Sequence, residues 1–348
     1  MGPVALTVLM FLPLLVILWL ANLAERRRAQ GKPDHWPAGI GLGLLASLLV
    51  LLILVGALVF SVGALSQLVT WVARSSGQGV EALAAAGTAS GIWMGLSLLV
   101  PSLVGLGLLL APVRRLIGRV LSIDPASTVH AVALAFSMLI LINLFVMLAT
   151  GLDTLAAAIE ADPTRAMEAA SPAALWVQEL LMAAMALVGV GWFSRRRLGQ
   201  VLQRLGLVRP SLRQVGAGLA IGCAMAVLVW GADRALGAVG ITVDSDVQKL
   251  SELLLGSLGN SILGVITLGV AAAVGEEPLF RGALQPRFGL LPTAVLFTLL
   301  HGQYGVSLAT GFTFAGGIVL GLVRQRANTS TAMIVHAVYN MASVLIGG

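Results

Sequence analysis

The chain has 348 residues, of which 58% are hydrophobic and only 10% are charged, and its mean hydropathy is +0.98. Soluble globular domains carry about 25% charged residues, so this composition excludes a soluble enzyme and a disordered chain. The single cysteine, Cys223, cannot form an intramolecular disulfide, which excludes a disulfide-rich scaffold, and its apolar surroundings predict that it is buried. The net charge of +6 fits either nucleic-acid binding or basic cytoplasmic loops, and the placement of the charges decides between them.

Long apolar runs recur along the whole chain and predict an all-α fold, a polytopic bundle of about ten transmembrane helices. The first run is followed at once by basic residues and has no positive charge before it, so it predicts a retained span and not a signal peptide. One of the last four runs is short, and it predicts a broken or re-entrant helix. The ten predicted spans are Pro3–Ala24, Trp36–Leu65, Gly91–Val113, His130–Thr150, Ser171–Ser194, Val215–Leu236, Ser261–Leu284, Phe288–Tyr304, Val306–Val323 and Ala327–Gly348.

Basic residues are concentrated in alternate loops between these spans. Seventeen of the 21 Lys and Arg residues fall on one side of the predicted bundle, and cytoplasmic loops are enriched in Lys and Arg. This side is therefore predicted to be cytoplasmic, and the N-terminus to lie outside. The opposite loops collect acids, among them Asp153, Glu160 and Asp244. The positive charge thus reports membrane topology, and no stripe of basic and aromatic residues indicates a nucleic-acid partner.

A change in composition divides the chain into three predicted parts. Residues 1–197 hold five spans of unknown function, residues 198–214 form a basic, amphipathic cytoplasmic linker, and residues 215–348 hold five spans that form the functional core. No internal repeat relates the two halves, so the symmetry typical of secondary transporters is not supported.

Ionisable residues inside membrane spans are expensive and predict functional sites. The first half offers only Glu179 within a span, whereas the second half carries six polar residues on three spans. With Arg287 and Arg326 marking the cytoplasmic surface and a rise of about 1.5 Å per residue, the two carboxylates, two imidazoles and one amide of this set lie at similar depths of roughly 15 to 21 Å. The six residues are Glu276, Glu277, Arg281, His301, His336 and Asn340.

Their chemistry favours hydrolysis by activated water. A carboxylate beside a His can act as a general base, a second His and an Asn can donate to a developing oxyanion, and Arg281 can hold Glu277 ionised. No Ser or Cys lies convincingly beside a His, so no covalent nucleophile is indicated. We expect no cofactor; two His and one Glu also match a zinc ligand set, although HExxH is absent, which makes a divalent metal the alternative. The other interpretation of the six residues is a buried structural network that holds the helices together.

Together with Phe297, the six residues also form three motifs, EExxxR, FxxxH and HxxxN, in three successive hydrophobic segments. This order resembles the CAAX-protease and bacteriocin-processing (Abi) family of intramembrane proteases, which includes the type II CAAX prenyl endopeptidase. The resemblance covers about Val215 to Gly348 and leaves the first five spans outside. The motifs read Glu276-Glu277-Pro-Leu-Phe-Arg281, Phe297-Thr-Leu-Leu-His301 and His336-Ala-Val-Tyr-Asn340.

The resemblance implies a role for each residue. Glu276 and His301 would activate the water, Glu277 and Arg281 would support the site, and His336 with Asn340 would form the oxyanion hole. It further implies a multi-pass protein of a bacterial or archaeal plasma membrane that hydrolyses a peptide bond near the cytoplasmic side. The expected partners are the lipid bilayer and a membrane-associated peptide or protein substrate, for which a prenyl group does not follow.

Two functions therefore stay open on the sequence. The first is an intramembrane endopeptidase. The second is a non-enzymatic membrane protein for binding or transport, in which the same polar cluster holds an ion or a ligand.

Overall fold

A computed structural model describes residues 2–32, 36–75 and 88–347, and within these ranges the regular structure is helical. The protein is all-α, as predicted, and only Gly348 of the last predicted span lies outside the described residues. Ten helices account for the apolar runs, in the order α1 Pro3–Ala29, α2 Trp36–Ser75, α3 Thr88–Leu108, α4 Thr128–Thr150, α5 Pro172–Gly189, α6 Leu212–Ala238, α7 Ile262–Phe288, α8 Leu290–Leu300, α9 Leu308–Arg326 and α10 Thr329–Gly347. Shorter helices lie between them at Ala111–Ile117, Leu152–Ala161, Pro163–Ala169, Leu198–Leu205 and Ser245–Ser251.

In the described ranges, nine of these helices are long and apolar enough to cross a membrane, which makes the chain a multi-pass integral membrane protein. The predicted span Phe288–Tyr304 is the exception. It contains only the 11-residue helix α8, which is about 16 Å long and so much shorter than the roughly 30 Å hydrocarbon core of a bilayer. The backbone explains both ends: Gly289 has a φ of 85° before the helix, and His301 leaves the helical conformation after it.

The first half of the chain builds one packed group of helices. α2 packs along α3, α3 against α4, and α1 against both α2 and α5. Leu45 and Leu49 of α2 are fully buried in this core together with Val132 of α4. The buried Asn22 of α1 donates from its side-chain amide to the carbonyl oxygen of Val188 in α5 at 2.9 Å, so a polar contact adds to the apolar packing.

The second half is centred on α7, which packs against α5 and α10. α6 lies along α10, and Gly222 permits their close approach, because a methyl group there would lie 2.8 Å from the carbonyl oxygen of Val335. The two halves share one apolar cluster, in which Met182 of α5 lies with Phe280 of α7 and Phe297 of α8. The functional division at residues 198–214 stays a prediction, but in space the two halves are in contact.

The segment between the halves contains the amphipathic helix Leu198–Leu205. Its apolar face is buried, with Val201 and Leu205 fully covered in a cluster with Ala186 and Val190. Gly206 then adopts the left-handed conformation with a φ of 71°, which ends the helix.

Large apolar side chains cover the outer surface, as expected where lipid surrounds a protein. On α2, for example, Leu54 and Leu58 are 62% and 64% exposed. Cys223 of α6 is also exposed, so the prediction that it is buried was wrong. An apolar run marks a span without showing which of its faces points inward.

Candidate active site

Helix α7 presents the first motif at an irregular point of its backbone. π-helical turns at Thr267–Ala271 and at Pro278–Leu284 flank the short α-helical stretch Ala272–Glu277. Such turns interrupt the regular hydrogen-bond ladder and are frequent at functional sites. Proline lacks the backbone N–H that a regular helix needs, so Pro278 contributes to the irregularity directly after the two glutamates.

A fully buried ion pair lies behind the site. The Nε atom of Arg281 is 3.3 Å from Oε2 of Glu277, and neither side chain is more than 1% exposed. Their spacing of four residues places them on one face of α7. The Arg281 guanidinium also lies over the ring of Phe297, 4.5 Å from its centroid, so the cation contacts both a carboxylate and an aromatic face.

The second oxygen of Glu277 holds a histidine from another helix. His336 of α10 donates from Nδ1 to Glu277 Oε1 at 3.0 Å, because an ionised carboxylate can only accept. His336 is 4% exposed. The hydrogen bond therefore fixes the ring, and it leaves Nε2 as the nitrogen that faces the remaining carboxylate.

That carboxylate, Glu276, lies between two imidazoles. Its Oε1 is 3.9 Å from Nε2 of His301, and its Oε2 is 3.9 Å from Nε2 of His336. Nδ1 of His301 is 2.9 Å from the carbonyl oxygen of Phe297 and donates to it, which leaves Nε2 as an acceptor in the neutral ring. A separation of 3.9 Å is too long for a direct hydrogen bond and suits groups bridged by one water.

Asn340 completes the set from the next turn of α10. Its side-chain amide donates to the carbonyl oxygen of Leu268 at 3.2 Å, and Leu268 belongs to the first π-helical turn of α7. One bond of this kind leaves a second amide N–H available. Asn340, His301 and Glu276 all line the same cavity, so the structure brings residues of all three motifs together.

The cavity has a volume of about 960 Å³ and is walled by both halves of the chain, with Phe11 of α1 and Phe136 of α4 in its apolar lining. Arginines of the predicted cytoplasmic side also line it. The pKa values of Arg196 and Arg204 are both lowered, mainly by burial and to a smaller extent by the nearby charge of Arg287. These guanidinium groups still remain charged, and at this end of the cavity the arginines outnumber the two acids, Glu25 and Asp124. The arginines at this end are Arg195, Arg196, Arg204 and Arg287.

Two further residues of the cavity were not assigned to the site from the sequence. Tyr304 follows α8 and stacks on His301, with ring centroids 5.7 Å apart. Glu179 of α5 lines the cavity together with Glu276 and lies within range of its charge. Of these two residues, only Glu179 could have been identified from the sequence, because it is the one ionisable residue within a span of the first half.

Metal binding was the alternative chemistry for these side chains. In the part of the chain that the structure describes, no three His, Cys, Asp or Glu side chains are grouped as metal ligands. The Nδ1 atoms of His336 and His301 bond to Glu277 and to the Phe297 carbonyl oxygen, and both Nε2 atoms face Glu276.

Comparison with protein families gives a match over residues 258–342 to the family described as "Rce1-like: Type II CAAX prenyl endopeptidase Rce1-like". The chain carries an Rce1-like domain. The matched range begins just before α7 and includes all six motif residues, whereas Glu179 and the first five spans lie outside it. No curated protein matches the chain, and no solved structure matches it.

Proposed function

We propose that the protein is an intramembrane endopeptidase that hydrolyses a peptide bond with water activated between Glu276 and His301. The observation that carries the proposal is the place of Glu276, whose Oε1 is 3.9 Å from the Nε2 acceptor of His301, beside a large cavity. A water bridging these two atoms lies within reach of a general base and faces the space in which a substrate would lie.

In the proposed reaction, Glu276 takes a proton from the water while His301 Nε2 accepts the other hydrogen bond and orients the attacking oxygen. The oxygen adds to the carbonyl carbon of the scissile bond, and negative charge develops on the carbonyl oxygen. Hydrogen-bond donors that already point at this oxygen stabilise the charge and lower the activation barrier, because they do not have to reorient during the reaction. Asn340 supplies its second amide N–H, and His336 supplies Nε2–H in its doubly protonated form.

Glu277 and Arg281 act through their neighbours in this proposal. Both are buried behind the site, and Glu277 accepts from His336 at 3.0 Å. Their role is to hold the His336 ring in the orientation that points Nε2 toward the cavity, as a second carboxylate orients a functional imidazole in many enzymes.

The cavity supports a direction of substrate entry. We infer that the arginine-lined end is cytoplasmic and that the N-terminus lies outside, since basic residues mark the cytoplasmic side. A membrane-associated peptide would then enter from the cytoplasmic side or from the bilayer. The description of the matched family makes a prenylated C-terminal tail the first substrate to test.

The deciding experiment uses the full chain, purified and reconstituted in lipid nanodiscs. It is incubated with an internally quenched farnesylated peptide, with the same peptide lacking the prenyl group, and with a peptide library, and mass spectrometry identifies the cut. Cleavage by the wild type and its loss in Glu276→Gln support the proposal. Glu160→Gln is the matched control, because it removes an exposed carboxylate that pairs with Lys249 at 3.0 Å.

Two results would overturn the proposed chemistry. If Glu276→Gln keeps the wild-type turnover, this carboxylate is not the general base. If chelators abolish cleavage and added zinc restores it, the same side chains must be reassigned as metal ligands. A folded wild-type protein that cuts no peptide but binds an ion at the cluster would favour the binding or transport function.

A further inference from the structure

Glu179 is a buried carboxyl group in the cavity that the mechanism above does not use. It lies on α5, in the first half of the chain, and is 5% exposed. Its Oε1 accepts a hydrogen bond from the neighbouring Gln178 at 3.2 Å. Its Oε2 is fully buried and has no hydrogen-bond partner among the residues that the structure describes. A buried polar atom without a partner is costly, so its presence points to a function.

The contact between α5 and α7 brings this group beside the proposed base. The two helices meet at Gly275, where an added methyl group would lie 2.7 Å from the backbone oxygen of Glu179 and would also collide with its Oε2. Gly275 directly precedes Glu276. The contact therefore sets the Glu179 carboxyl against the backbone beside Glu276, within range of its charge, and both side chains line the cavity.

The surroundings of the three glutamates differ. Glu277 contacts the cation Arg281 as well as His336, and Glu276 lies between two histidines. No cation pairs with Glu179 among the described residues. A nearby like charge and burial both disfavour a second ionised carboxyl, and Glu179, buried without a cation, is the one that keeps the proton.

We propose that Glu179 is the general acid of the reaction, a catalytic residue that the first half of the chain supplies to the Rce1-like domain. The inference rests on the proposed function and deepens it. Collapse of the tetrahedral intermediate requires a proton on the leaving nitrogen, because an unprotonated amide anion is a poor leaving group. A protonated carboxyl that lines the cavity beside the base is placed to supply that proton.

The steps balance. Water gives one proton to Glu276 and its oxygen bonds to the carbonyl carbon; the carbon–nitrogen bond then breaks as the nitrogen takes the proton of Glu179. The products are a carboxylic acid, which ionises, and an amine, which takes up the released proton. Glu276 finally returns its proton to Glu179. One water is consumed, and both glutamates regain their starting states.

The test compares two leaving groups on one acyl peptide. The probes are the internally quenched peptide of the deciding experiment and the p-nitrophenyl ester of its acyl segment, whose phenolate leaves without protonation. Glu179→Gln should lower kcat on the peptide by about 10²- to 10⁴-fold, the usual contribution of general acid–base catalysis, and leave ester hydrolysis near the wild-type rate. Its peptide cleavage should also lose the part of the alkaline decline of kcat that deprotonation of Glu179 causes, while the part that deprotonation of His336 causes should remain.

Three comparisons complete the test. Glu179→Asp keeps an acid and should recover part of the peptide rate lost in Glu179→Gln, while the exposed Glu160→Gln should match the wild type on both probes. Equal slowing of peptide and ester in Glu179→Gln would mean a positioning role and overturn the inference, as would an unchanged peptide rate. In either case, loss of both activities in Glu276→Gln leaves the proposed hydrolysis standing, whereas a folded wild type that cleaves neither probe refutes both.

Discussion

The buried ion pair between Arg281 and Glu277 makes a sharp prediction about stability. At 3.3 Å and an effective dielectric constant of about 20, two unit charges attract by about 5 kcal/mol. Arg281→Met keeps most of the side-chain volume over Phe297 but removes the permanent cation of the buried Glu277 carboxylate, which keeps only its hydrogen bond from His336. Breaking a buried pair in this way typically costs about 3 to 5 kcal/mol.

Thermal unfolding followed by tryptophan fluorescence in detergent measures this loss. At roughly 2 °C per kcal/mol for a large protein, the Tm of Arg281→Met should fall by about 6 to 10 °C. The matched control is Arg209→Met, which removes an exposed arginine and should leave the Tm close to that of the wild type.

A second substitution separates the cost of an unpaired charge from the loss of a side chain. Glu277→Gln combined with Arg281→Met removes both charges and still offers an amide oxygen to His336 Nδ1. Most of the lost Tm should therefore return in the double variant, since replacing a whole buried pair is often near neutral. A wild-type Tm in Arg281→Met alone, or a double variant less stable than the single one, would refute the reasoning.

The remaining predictions concern the reaction and the topology. Glu276→Gln and His301→Ala should each abolish cleavage, and the double variant should be no slower than either, because both residues act on one water; a product of the two single effects in kinetic assays would contradict this. Asn340→Ala should retain a residual rate, about 10²- to 10³-fold below the wild type, because one oxyanion donor is removed; complete loss in a folded protein would point to another role. Asp153→Cys should react with impermeant thiol reagents from outside the cell, and protection of this exposed position would reverse the predicted orientation.

The sequence was sufficient to predict the convergence of the motifs, and helix geometry explains why. Glu277 and Arg281 share a face because they are four residues apart, and so do His336 and Asn340. Counting residues from basic markers then gives similar depths for the three segments. The structure agrees, with Glu276 3.9 Å from both histidines.

The irregular backbone was predicted only in part, since the short run Phe288–Tyr304 indicated a broken helix but not where that helix ends. Periodicity assumes a regular helix, yet α7 contains π-helical turns at Thr267–Ala271 and Pro278–Leu284. α8 ends at Leu300, which places His301 at a helix end and not within a span. The first π-helical turn also carries a tertiary contact, the hydrogen bond from Asn340 to the Leu268 carbonyl oxygen, which spacing along the chain does not reveal.

Tertiary contacts also give the first five spans a structural role, because helices of this half form part of the cavity wall. The family match begins at residue 258, but helices of the first half also wall the cavity. Met182 shares an apolar cluster with Phe280, and the backbone of α5 lies so close to Gly275 that no larger residue fits there. Without α5, Glu276 would face lipid, where its charge would be far costlier, or water, where it would be better screened. The wall that α5 provides therefore sets the environment of Glu276.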